Sequence, residues 1–108
     1  RCAIVTGVQT CALPISKKDI NLMFNVNLAQ YLKYRVEAFD CDDFARTAGV
    51  LVRIAFGNVA VGDAIIKYSD GSRHMLNVIV TANKEIVYIE PQNNKIVDKN
   101  FTVEEIRI

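Results

Sequence analysis

Apolar and polar positions follow two different periods along this chain. Over residues 17–36, KKDINLMFNVNLAQYLKYRV, the apolar residues Ile20, Phe24, Leu28 and Tyr31 recur near the 3.6-residue spacing of a helix, with Asp19 as its start signal. A helix is expected there, although Asn21, Asn25, Val26 and Asn27 are poor helix formers. The pattern is stronger in residues 41–57, CDDFARTAGVLVRIAFG, where Phe44, Ala48, Leu51, Val52 and Ala55 form one stripe and Gly57 supplies a C-terminal stop. Asp40 is placed as the N-cap of this second helix with Asp43 three residues on, and Asp42 can pair with Arg46 across one turn.

After Gly57 the period falls to two. AIIKYS, HMLNVIV and EIVYIE are short, β-branched and aromatic, and the segments between them, SDGS and ANK, are hairpin signals. Three antiparallel strands in a meander follow. The tail, KIVDKNFTVEEIRI, reads as a fourth strand or as a short terminal helix. Two helices packed on such a sheet make an α+β domain.

The start of the chain is set apart from this pattern. Residues 5–15, VTGVQTCALPI, resemble, residue for residue, a frame translation of a common short-read sequencing adapter. Residues 1–16 are therefore treated as a non-native segment without functional content, and the natural chain is expected to begin further upstream, with a partner domain possible there. Residues 17–108 then form one domain. Without Arg1 the basic count falls from 13 to 12 against 12 acids, a balance that leaves no electrostatic footprint for nucleic acid or an anionic membrane. No apolar run approaches 18 residues, so no membrane span is expected. With Cys2 and Cys11 set aside, Cys41 has no partner for an internal disulfide.

Cys41 stands in FDCDDFA, among Asp40, Asp42 and Asp43, and a thiolate forming there is repelled by each of those acids. It also falls in the first turn of the more secure helix, where free backbone N–H groups favour negative charge. His74 opens the second strand, and Glu90 closes the third just before Pro91. Singly, these are a small buried hydrophobe, a surface histidine and a strand end. Together, a thiol at a helix start, an imidazole on one strand and an acid on the next have the order that a cysteine hydrolase needs.

FDCDDFA, HMLNVIV and VYIEPQNNKIV resemble the motif blocks of a family of papain-like, calcium-activated cysteine protease domains, that of the Marasmius oreades agglutinin type. More distantly they are similar to papain-like and transglutaminase-like folds. The resemblance covers roughly residues 38–97. It implies Cys41 as nucleophile, His74 as general base and Glu90 as the orienting acid, with Gln92 close by in the site. It also implies calcium as a cofactor and a peptide or protein as substrate. This chain departs from the family in lacking lectin repeats and in carrying Met75 and Leu76 after the motif histidine.

Strand alternation adds a geometric condition. A two-residue loop at Asn83 and Lys84 would turn His74 away from Glu90. A three-residue loop, 82–84, would pair Thr81 with Glu85 and put Glu90 diagonal to His74 on one face. A divalent cation on Asp40, Asp42 or Asp43 would offset the acids around Cys41. Backbone N–H groups of Cys41 and Asp42 are candidates for an oxyanion hole. The function expected is a hydrolase attacking an amide carbonyl. A catalytically silent binding or structural module of the same fold, phage- or toxin-associated, and an acyl transferase of transglutaminase type are the alternatives.

Overall fold

A computed structural model describes residues 3–5, 8–10 and 15–108. Strands β1 (Ala3–Val5) and β2 (Val8–Thr10) pair antiparallel in a small sheet of their own. The remaining residues build an α+β fold on a five-stranded antiparallel sheet.

The helix expected over residues 17–36 is much shorter. A 3₁₀ turn (Lys17–Asp19) leads into α1 (Ile20–Phe24), and a second 3₁₀ turn (Leu28–Tyr31) follows after a break. Ile20 and Phe24 are buried as their spacing implied, whereas Leu28 and Tyr31 are exposed. The break has a physical cause in Asn27. Its side chain is buried and bonded to backbone and to a distant turn, which holds the chain out of helical geometry. The helix expected from residue 41 is present as α2 (Cys41–Phe56), with Asp40 as N-cap and Gly57 beyond its end at φ 81°. No helix among the described residues is long and apolar enough to cross a membrane.

Five strands follow: β3 (Val61–Lys67), β4 (Arg73–Val80), β5 (Ile86–Glu90), β6 (Lys95–Val97) and β7 (Thr102–Arg107). Their order is β6-β5-β4-β3-β7, so the expected meander gains a strand at each edge. The tail supplies both. Four residues, 98–101, carry the chain from one edge to the other. A flat sheet would measure about 19 Å across its four gaps, and five Cα steps reach only about 18 Å at full stretch. The sheet therefore curls, with the connection crossing its concave side. Phe101, on that connection, meets Tyr68 and Tyr88 edge-on at centroid distances of 6.2 and 5.2 Å.

Alternation along the strands gives the sheet two apolar faces. Val61, Ile79, Val87 and Ile89 pack with Ala48 and Val52 of α2 and with Ile20, Met23 and Phe24. Ala64, Ile66, Leu76, Val78 and Tyr88 point the other way, under Phe101, Val103 and Ile106. Ile15 joins the first cluster and donates its N–H to Val80 O at 2.9 Å. Gly62 on β3 allows a close approach, since a Cβ there would lie 1.9 Å from the carbonyl oxygen of Arg107.

The register settles the loop condition. Asn77 pairs with Ile89 and Val80 with Ile86, and Thr81 N–H donates to Glu85 O at 2.9 Å. The β4–β5 loop thus holds three residues, 82–84, with Lys84 in the left-handed region at φ 63°.

Candidate active site

Cys41 is the first residue of α2, and the chain entering it is fixed by local contacts. The Asp43 carboxylate accepts the Asp40 N–H at 3.2 Å, and the Asp40 carboxylate accepts the Glu37 N–H at 3.2 Å. Phe39 meets the buried Phe44 edge-on at 4.8 Å, and Tyr34 stacks on the same ring at 6.1 Å. Half-buried Cys41 therefore sits on a helix start held from both sides.

The imidazole comes from the first residues of β4. His74 Nε2 lies 2.6 Å from Glu90 Oε1, with the two side chains 17% and 19% exposed. The diagonal placement across a three-residue loop brings them together on one face. The other carboxylate oxygen, Glu90 Oε2, accepts the backbone N–H of Gln92 at 3.1 Å. Glu90 is thus held at both oxygens. Tyr68 stacks beside His74 at 6.5 Å, and burial first, then the charges of Glu90 and Asp70, push its phenol pKa up. With Nε2 engaged by Glu90, Nδ1 is the ring nitrogen left to face a thiol.

Cys41 and His74 line one cleft of about 170 Å³, together with Asp42, Ile65, Arg73 and Met75. Ile65 and Met75 alternate onto the face that α2 covers, whereas His74 alternates onto the other. Thiol and imidazole therefore border the cleft from different faces of the sheet, at the starting end of β4. Among the described residues, no hydrogen bond joins Cys41 Sγ to the ring. Arg73, at the rim, is ion-paired with Glu104 at 2.7 Å. Gln92 is outside the lining of this cleft, and its recorded contribution is the backbone bond to Glu90.

The three aspartates each have a local task. Asp43 caps the helix, Asp40 holds the preceding turn, and Asp42 pairs with Arg46 at 3.2 Å. One carboxylate oxygen from each lies within 4.8 Å of the others. A hydrogen bond between Asp40 and Asp42 raises the pKa of Asp40 and lowers that of Asp42, with burial and the Asp42 charge adding to the rise. Such crowding is what a hard cation relieves, and three carboxylate oxygens fit part of a calcium shell.

Sequence reasoning passed over the supporting residues. Asn27 was visible only as a poor helix former, Ile65 only as a residue of the strand AIIKYS, and Arg73 was assigned no role. The signal for Asn27 was there, in a polar side chain interrupting an apolar helical pattern.

No protein-family profile and no curated protein matches this chain. Among solved structures, a Polyporus squamosus lectin bound to the human-type influenza-binding epitope Neu5Aca2-6Galb1-4GlcNAc is similar at a TM-score of 0.73 and 22% identity, over 88% of this chain and 38% of the lectin. A structure described as a PSL1a–E64 complex is similar at a TM-score of 0.71 and 23% identity, over 84% of this chain and 38% of that one. These likenesses are of fold. The chain spans little more than a third of the length of either neighbour.

Proposed function

We propose that this domain is a cysteine hydrolase of the papain-like type, acting on an amide carbonyl, most simply that of a peptide. The observation that carries the reading is the His74–Glu90 contact of 2.6 Å beside a cleft that also holds Cys41 at a helix start. In this mechanism His74 Nδ1 takes the thiol proton as Sγ bonds to the carbonyl carbon, and the carbonyl electron pair moves to oxygen. Backbone N–H groups of Cys41 and Asp42 receive that oxyanion. The tetrahedral intermediate collapses as the imidazolium gives its proton to the leaving amine, and water then releases the acyl group through the same base. Glu90 fixes the ring and stabilises its cation.

Calcium belongs to the same proposal. Asp40, Asp42 and Asp43 would hold it, and its charge would offset the acids that oppose a thiolate at Cys41. The likeness to a chain complexed with E64, an epoxide that alkylates activated thiols, adds support of a fold-level kind.

Intact-mass measurement of E64 and iodoacetamide adducts, with Cys2 and Cys11 replaced by serine, tests the reading. One adduct on Cys41 is expected, its formation accelerated by calcium and slowed about 10²-fold or more in His74→Ala, the scale of general base catalysis. A Cys41 no faster than a free thiol, and indifferent to both His74→Ala and calcium, overturns it.

That outcome favours the second reading, a binding module that keeps the fold without catalysis. Its support is the lack of a thiol–imidazole hydrogen bond among the described residues and the lectin naming of a structural neighbour. A sialylated oligosaccharide is the first ligand to try.

A further inference from the structure

Asn27 is 0% exposed, lies on no regular element and has no place in the cleft. Its amide is nonetheless fully engaged, and through Nδ2 it reaches groups far away in sequence. Nδ2 donates to Pro91 O at 2.8 Å and to Asn94 Oδ1 at 2.8 Å, while Oδ1 accepts the Ala29 N–H at 3.2 Å. Asn94 answers in kind. Its Nδ2 donates to Phe24 O at 3.0 Å, and its backbone, in the left-handed region at φ 60°, donates N–H to Glu90 O at 2.8 Å.

Two amide side chains thus clamp the turn 91–94 onto the end of α1. That turn is the one from which Gln92 N–H reaches Glu90 Oε2 at 3.1 Å, leaving Oε1 for His74 at 2.6 Å. A carboxylate shared between a turn amide and an imidazole is aimed by the turn. If the turn swings, Glu90 loses its second anchor and the ring loses the partner that selects its tautomer. The core alone does not require this arrangement, because an apolar residue at 27 would fill the space without any bond to the turn.

Resting on the Cys–His–Glu reading above, we infer that Asn27, acting with Asn94 through the turn 91–94, is a positioning residue for the Glu90–His74 pair. The segment before α2 is then part of the machinery that orients the base, although none of it touches the cleft.

His74 is the one histidine of the chain, so its ring can be read without ambiguity by long-range ¹⁵N–¹H spectroscopy. With Glu90 Oε1 as acceptor at 2.6 Å, the ring proton is expected on Nε2 in the native protein. Asn27→Ala should lower the ratio of Nε2–H to Nδ1–H rings by about two- to tenfold, the change that one hydrogen bond carries. Asn94→Gly should do the same while keeping the left-handed backbone, and it decides the matter if Asn27→Ala fails to fold. Val52→Ala, which loosens the α2 core without touching the turn, should leave the ratio unchanged. Ring signals unaltered in folded Asn27→Ala or Asn94→Gly overturn the inference, as does an equal shift in Val52→Ala. An unreactive wild-type Cys41 defeats the catalytic reading instead, and leaves the ring measurement to judge the positioning by itself.

Discussion

At Asp40 and Asp42 one proton is contested by two carboxyl groups at the entrance to α2. The hydrogen bond between them raises Asp40 and lowers Asp42. The two shifts act on stability with opposite signs. Because folded Asp40 holds its proton more tightly than the unfolded chain does, stability from this group grows as pH falls through its raised pKa. Asp42 contributes stability above its ordinary value that is lost as pH falls through its lowered one. Asp40→Asn keeps an oxygen to accept the Glu37 N–H and removes the contested charge. The variant should match or exceed the wild type in stability near neutral pH. That advantage should shrink as pH falls from neutrality through the raised pKa of Asp40, where Asp40 of the wild type takes up its proton. Urea midpoints across that range check the trend, and an advantage that widens on acidification would contradict it. The three acids and most of their tasks were legible from FDCDDFA, with Asp40 as N-cap, Asp43 three residues on and Asp42 paired with Arg46, but the bond from Glu37 N–H to Asp40 was not, since no sequence pattern marks that turn.

The hairpin between β4 and β5 shows how a short loop controls chemistry at the far end of its strands. Three residues, 82–84, fix the pairing that puts His74 and Glu90 on one face. This much could be read from alternation, because a side chain either shares a face with another or does not. The N-terminal helix could not be read the same way. Apolar spacing through Tyr31 competed with the buried hydrogen bonds of Asn27, and the tertiary bonds won. The tail was harder still, since the choice between strand and helix depended on a free edge of β3 that only the assembled sheet provides. Lys84 carries a cost that the register imposes, a side chain held at φ 63°. Lys84→Gly should relieve that strain and stabilise the protein by about 0.5–1 kcal/mol, after allowance for the entropy of glycine. Denaturant unfolding gives the measurement, and the Cys41 alkylation rate should stay unchanged.

Over the whole molecule, the boundary drawn at residue 16 does not coincide with the edge of the core. Ile15 is 3% exposed, bridges to Thr81 and accepts the Ala82 N–H at 2.9 Å. A segment of any origin can fill a hydrophobic gap, so packing says nothing of where the residue came from. Ile15→Ala should cost about 2–4 kcal/mol by thermal or denaturant unfolding. A loss under about 0.5 kcal/mol would show the contact to be dispensable. At the other end of the chain, β7 covers the long side of β3, the apolar strand VGDAIIK. The strand it presents outward instead bears Glu104, Glu105 and Arg107 and is interrupted by a register shift opposite Ile65 and Ile66, while β6 at the opposite edge is only three residues long. A bare β3 would offer unpaired N–H and C=O groups along seven residues to any passing strand, and copies of the chain could add to one another edge to edge. The last six-residue strand therefore protects the protein from self-templated aggregation, by replacing an edge that invites pairing with one whose charges and broken register discourage it.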